Sequence, residues 1–516
     1  METRAISLAK SAVAPQWSTH PKGLYVCFFT EMWERFSFYG LKALLIFYLT
    51  EHFLFSDAEA TNIFGNFFAL VYALPIIGGL LADKYLGSKK AVTLGAVLLC
   101  LGHLGMAIEG MPAYINDDGV VVQGSGLEVF YLSLSLIIVG VGFLKPNISS
   151  IVGKLYSVND PRKDAGFTLF YMGINLGAAL AAIVCGYVGR VYGWSYGFGL
   201  AGLGMLLGLV VFQLGQPYLE GHADAPEPNM LKQPLWAFIS REHLIYLLSL
   251  VLVYLVSLIV SHHQWVGGLL GLTFVAIALW LVWFCLNEAC ASVKQKIYAA
   301  VSLTLMSTVF FLCFLQSGSS MNLFAERLTD RTVLGIEIPA PMLQSLNAIF
   351  IIALAPIFAK LWQSLIARNR APSTPMKFAL GLAQVGLGFG ALVAGLVFAD
   401  GGQVALIWLV LAYLLHTTGE LCISPIGLSM ITKLSAPRIV GLMMGLWFLG
   451  SAIAEYIAAW LAGSAATPQV GEQVDMASQQ LLFSGLYLNI MWIALGGACV
   501  TLMLTPVLKR WMHDIA

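Results

Sequence analysis

The chain has 516 residues, 59% hydrophobic by count and only 10% charged, with a mean hydropathy of +0.82. Soluble domains carry about 25% charged residues, so the charge here is too sparse to cover the three or four domains this length would otherwise build. The 27 basic residues balance 27 acidic ones, which together with the apolar excess excludes nucleic-acid binding and disorder and leaves a multi-pass membrane protein.

In chain order, residues 1–23 are polar and mixed, read as a cytoplasmic tail with no cleaved-signal pattern. Six apolar runs follow, at 24–50, 60–82, 91–109, 128–152, 165–188 and 196–216, forming an N-terminal bundle over 24–216. A Pro-rich, acidic stretch over 217–242 reads as a cytoplasmic linker. Two closely joined runs, 243–261 and 265–287, form an inserted pair within 243–296. Six more, at 297–320, 341–367, 378–398, 404–431, 439–463 and 482–507, form a C-terminal bundle over 297–507, and 508–516 is a cytoplasmic tail. The expected architecture is all-α with fourteen transmembrane helices, each run being near the ~20 residues that cross a bilayer.

Lys and Arg test this layout, because cytoplasmic loops are enriched in them. With the N-terminus inside, 21 fall on the inner side and only Arg190, Arg327 and Arg331 on the outer; Arg35, Lys42 and Lys145 lie within spans. Both termini are therefore expected in the cytoplasm, in a cell inner (plasma) membrane. An internal echo joins the bundles: Pro146, Ser150 and Lys154-Leu155 repeat the spacing of Pro425, Ser429 and Lys433-Leu434 on the fourth span of each six. Parallel six-span repeats are the major-facilitator pattern, with substrate held between the halves near midplane. Pro75, Pro146, Pro356 and Pro425 predict kinks within spans. The eight cysteines lie mostly in apolar runs, lack metal-finger spacing and read as small buried residues.

The first span carries the most informative chemistry. Glu31, Glu34, Arg35, Phe38 and Lys42 share an arc of about 100°, with Tyr39 at its edge. Each ionised group at bilayer centre costs about 2.5–3.5 kcal/mol, so this face should meet protein or a watery cavity. Glu31 and Arg35 have the favourable spacing and order for an ion pair. Glu34 is then the surplus carboxylate, or both acids compete for one guanidinium. With Lys145, Glu420 and Glu455 added, the intramembrane charges sum to one net negative, which one proton neutralises. Two readings fit: a proton-binding site, or a purely structural ion-pair network. His103 and His416 are read as satisfied interior histidines, and Glu326, Arg327, Asp330 and Arg331 as a solvated outer loop.

Glu31-Met-Trp-Glu34-Arg35-Phe-Ser-Phe-Tyr39-Gly resembles the ExxER signature of the proton-dependent oligopeptide transporter family. The resemblance runs along the chain through Gly142-Phe-Leu-Lys145-Pro146-Asn147, Phe170-Tyr171-Met-Gly-Ile-Asn175-Leu-Gly177, Gln344-Ser-Leu-Asn347, Gly419-Glu420-Leu-Cys-Ile-Ser-Pro425 and Gly445-Leu-Trp447-Phe. It implies a proton-coupled symporter importing di- and tripeptides by alternating access, a monomer in lipid that needs no cofactor or metal. Arg35 and Lys145 would hold the peptide carboxylate and Glu420 its ammonium. By the same analogy Tyr39, Tyr72, Asn175 and Asn347 are pocket residues and Trp447 an apolar wall. Glu31, Glu34, Arg35 and Glu420 would couple the proton, and Lys42 and Asp83 would gate. Asp83, Lys84, Lys89 and Lys90 resemble the major-facilitator loop motif, which latches helix ends.

There is one departure. Many family members carry an acid on span seven, two residues before the position of Ser317, able to pair with a basic residue like Lys42. This chain reads Phe314-Leu315-Gln316-Ser317, and Glu455 is the alternative partner for Lys42. The same fold carrying nitrate, another small organic anion or a drug is the competing reading. Retaining both Lys145 and Glu420 favours a two-ended zwitterion. An enzyme is not expected, since HExxH, GxSxG and phosphate-loop patterns are missing at any membrane face.

Overall fold

The structure, a computed structural model, describes residues 20–157, 160–236, 239–262, 264–288, 290–465 and 475–515. The tail expected over 1–23 lies outside these apart from residues 20–23. The long helices are α1 (Lys22–Phe47), α2 (Asp57–Ala73 and Pro75–Leu81), α3 (Gly87–Met106), α4 (Leu127–Lys154), α5 (Lys163–Val191), α6 (Trp194–Gly215) and α7 (Arg241–Ser261). The series continues with α8 (Gln264–Asn287), α9 (Ala291–Phe314), α10 (Ser345–Ala367), α11 (Thr374–Val397), α12 (Leu406–Leu434), α13 (Val440–Gly463) and α14 (Met476–Met512).

Among the described residues, twelve helical stretches are long and apolar enough to cross a membrane. One of them, Asp57–Met106, holds both α2 and α3 and so supplies two spans. The charge-rich α1 completes fourteen. The α2–α3 reversal occurs at Gly87, whose φ of +75° suits glycine. A Cβ there would also sit 2.5 Å from the backbone of Asp224 and Ala225.

Within the first half α1 packs on α5 and α6, and α3 on α4 and α6; in the second, α11 packs on α12 and α14, and α9 on α13. The halves meet along α2 with α13 and α5 with α10. Of the inserted pair, α7 lies against α4 and α8 against α13, one helix on each half. Small residues allow this closeness, as interfaces in lipid require. At Gly177 a Cβ would come within 2.2 Å of the Met32 carbonyl, so α5 rides directly on the backbone of α1.

The stretch over 217–242 is tied down rather than free. Lys89 pairs with Asp224, Lys90 donates to Glu242 at 2.5 Å, and Leu219, Ala223 and Leu231 are buried. Among the described residues, four two-stranded ladders close loops, including a parallel one joining Thr329–Asp330 to Val404–Ala405. Two expectations need correcting. Cys290 and Cys499 are exposed, while the other six cysteines are buried and all are free thiols. Span seven stops at Phe314, giving way to a 3-10 turn (Leu315–Gly318) and a short helix (Ser320–Leu328). Of the four prolines expected to kink spans, Pro75 begins a new helical segment, while Pro146, Pro356 and Pro425 lie within helices.

Candidate functional site

The ionic face of α1 points inward. Glu31, Glu34 and Arg35 are all buried. The Arg35 guanidinium forks onto Glu34, with Nε donating to Oε2 and Nη2 to Oε1 at 2.5 Å, while Glu31 Oε1 lies 3.4 Å from Nε. Glu34, not Glu31, is thus the principal partner, and Glu31 Oε2 has no hydrogen-bond donor among the described residues. Of the two readings the spacing left open, the geometry fits competition of both acids for one guanidinium rather than Glu34 as a surplus carboxylate, because helical i,i+4 rules do not anticipate a side chain folding back onto its neighbour. Arg35 also lies 4.7 Å from the Phe38 ring, and Lys145 Nζ is 4.9 Å from the Tyr72 ring.

Between the halves lies a cavity of about 1250 Å³. Tyr39, Lys42 and Tyr72 line it from α1 and α2, Asn175 from α5, Asn347 from α10 and Glu420 from α12. Asn347 Nδ2 donates to Glu420 Oε2 and Thr417 Oγ1, each at 3.1 Å, which orients that carboxylate. Asn175 spends its amide on the Tyr171 carbonyl of its own helix, at 3.0 Å. Arg35, Lys145 and Trp447 are not part of the wall. The two cations lie by Phe38 and Tyr72, and Trp447 packs against Gly427 on α12, where a Cβ would fall 2.3 Å from its ring.

The cavity runs to the face that carries Lys89, Lys90 and Lys154, where Lys163, Ser429, Thr432 and Met444 line it. At the opposite face the halves are clasped. Arg327 makes a bidentate pair with Asp57 at 2.6 and 2.7 Å, and Arg190 bridges Glu51 and Glu326. The run containing Glu326 and Arg327 is therefore an inter-half latch rather than a solvated loop. Its register is set by Arg331, which contacts Glu326 and Glu337.

Lys42 is buried and has no carboxylate within 4 Å among the described residues; its Nζ is 5.2 Å from the Phe68 ring. Asp83 is exposed and makes no ion pair among the described residues, so Lys89 and Lys90 do the latching on that face. His103 and His416 are buried and neither ring nitrogen of either has a hydrogen-bond partner among the described residues, contrary to the satisfied role expected; His416 packs on Phe389 at 4.7 Å. Sequence reasoning missed Tyr171, Lys163, Ser424 and Ser429 as wall residues. Tyr171 was discoverable, since it stands one turn before Asn175 in the same motif.

Comparison with known proteins places this geometry. Residues 89–478 match the POT family. The uncharacterized transporter YclF of Bacillus subtilis is 35% identical over 516 residues, covering 99% of this chain and 98% of that protein. Dipeptide and tripeptide permease A of Serratia proteamaculans is 34% identical over 506 residues, covering 96% and 93%. A crystal structure of a variant of peptide transporter POT in complex with alafosfalin aligns with a TM-score of 0.81 at 35% identity, over 99% of both chains. Since these matches take in both bundles and the inserted pair, this chain belongs to the POT family of membrane transporters.

Proposed function

We propose that the chain imports di- and tripeptides with protons by alternating access, in the cell inner membrane with both termini cytoplasmic. The observation that carries this is a cavity between the halves walled by Lys42 on one side and an amide-oriented Glu420 on the other. Opposite charges on opposite halves suit a zwitterion and draw the halves together around it. A ligand that prefers the closed arrangement is what alternating access needs. A nitrate ion or simple organic anion has no use for Glu420.

On this reading the latch marks the outer side and the cavity faces the cytoplasm, in agreement with the Lys and Arg bias. The peptide ammonium meets Glu420, and the carboxylate enters past Tyr39 and Tyr72 toward Arg35 and Lys145. The proton sits on the Glu31–Glu34 pair. Glu31 is the better candidate, because one of its oxygens has no donor while Glu34 is held twice. Protonation loosens the acids' hold on Arg35, freeing it for the substrate; deprotonation restores the pair and ejects the peptide. The direct test is uptake of labelled di-alanine into proteoliposomes under an inward pH gradient. Uptake that a protonophore abolishes is expected. Uptake indifferent to the protonophore would refute the coupling, and absence of di-alanine counterflow would refute the substrate.

A further inference from the structure

We propose that Glu455 on α13 is a second proton-carrying acid, acting with Lys42 as the gate pair that the 314–317 segment of this chain does not provide. The proposal rests on the proton-coupled reading above. Lys42 lines the cavity at 8% exposure and has no ion-pair partner within 4 Å among the described residues. The acids whose charges reach it are Glu455 and Glu420, and Glu420 is already bound by Asn347. Glu455 is 2% exposed, and its Oε1 has no hydrogen-bond partner among the described residues. Lys42 is the cation whose charge acts on it.

The surroundings explain why these two must serve each other. The ionisable groups whose charges interact with Glu455 are Lys42 from α1 and Tyr72 from α2, while Glu420 from α12 acts on Lys42 and Tyr72 rather than on Glu455. On this side α9 and the turn after it present Thr304, Thr308 and Gln316, the last donating to the Ala458 carbonyl at 2.8 Å, and α8 carries no charged residue. Gly318 comes so close to Lys42 that a Cβ would lie 2.7 Å from its Cε, yet Leu315 and Ser317 beside it offer no carboxylate. Glu455 stands in the α2–α13 seam between the halves, where a Cβ on Gly65 would be 3.1 Å from the Glu455 carbonyl and 2.1 Å from the Ala459 side chain.

An ionised carboxylate in so tight a seam must find a cation or take a proton. Parting of α2 from α13 opens Glu455 to outer water, where it binds one H⁺ and becomes neutral. After closure the proton leaves through the cavity by way of Lys42. The Glu455–Lys42 attraction across the halves then holds the seam shut. Acidic outer pH thus favours the outward-open state.

The test uses the full chain in proteoliposomes. Glu455→Gln should lower gradient-driven di-alanine accumulation about tenfold while counterflow stays within about twofold, a coupling effect of ordinary size. Adding Leu315→Glu, which moves the acid to the cavity wall near Lys42, should restore gradient-driven uptake, and should not do so in Glu31→Gln. Should Glu455→Gln fail to fold, Glu455→Asp should instead shift the pH midpoint of uptake without changing counterflow. Full gradient-driven uptake in Glu455→Gln, or an unshifted midpoint in Glu455→Asp, would overturn this inference alone. Counterflow lost together with uptake in a folded Gln variant would reduce Glu455 to packing. Wild-type uptake that ignores the gradient and the protonophore would overturn the proton-coupled reading as well.

Discussion

Arg35 is held by two carboxylates in unequal ways, and that inequality organises the chemistry of α1. Its fork on Glu34 matches guanidinium geometry, which a lysine cannot copy. Arg35→Lys should therefore weaken both gradient-driven uptake and counterflow, whereas Glu31→Gln should remove only the former. In the proposed mechanism Glu420 meets the ammonium at the other end of the substrate. A hydrogen bond to a charged group is worth about 1.5–3 kcal/mol, so Glu420→Gln should raise the half-saturation of di-alanine uptake at least about tenfold. N-acetylated di-alanine, lacking the ammonium, should discriminate little between wild type and variant. Outside the membrane, His20 at the entrance to α1 bonds Tyr156 just past α4 at 2.8 Å. Burial, then Arg162, hold its pKa below 6.5. The neutral ring is the favoured form, so its contribution is whole above pH 6.5 and lost as pH falls through the lowered value. His20→Gln should melt with wild type at about pH 8 and above it at about pH 5.

At the scale of helices, packing rather than propensity carries the fold. Gly177→Leu would force α5 off α1 and should lower the melting temperature of the detergent-solubilised protein, overpacking costing about 1–3 kcal/mol. Gly441→Ala, with nothing within 4 Å of its Cβ, should leave it unchanged. The same contrast explains what could be read from the chain beforehand. Runs such as 128–152 and 439–463 announce α4 and α13, because bilayer thickness fixes their length and apolarity. The break after Phe314 gave no such signal: Leu315, Gly318 and Met321 continue the apolar pattern, and the turn arises where Gln316 reaches the α13 backbone. Tyr39, Tyr72, Asn175, Asn347 and Glu420 converge on the cavity as their motifs implied. Arg35 and Lys145 lie off its wall, against the Phe38 and Tyr72 rings, contacts that no spacing rule encodes. The pairing of Glu326 and Arg327 across the halves was equally hidden, since loop charges acquire partners only through the tertiary fold.

For the whole molecule, the latch and the cavity are two ends of one conformational balance. The pairs Asp57–Arg327 and Arg190–Glu326 join the halves at the face away from the cavity mouth, so they exist only while that face is closed. An exposed ion pair contributes about 1 kcal/mol at most to stability. Because the latch is made in one state and broken in the other, all of that energy biases the equilibrium between them, about fivefold per pair. Asp57 is nearly buried and its bond bidentate, which favours the upper end. Arg327→Ala should therefore raise outer-side labelling of a Ser317→Cys reporter by an impermeant maleimide about fivefold, in a background with Cys290 and Cys499 replaced by Ser. The charge swap Asp57→Arg with Arg327→Asp should return labelling toward wild type, since the pair is re-formed with its ends exchanged. Equal labelling in wild type and Arg327→Ala would mean that apolar packing along α2 and α13 alone closes the outer face, and the balance would then be set inside the membrane.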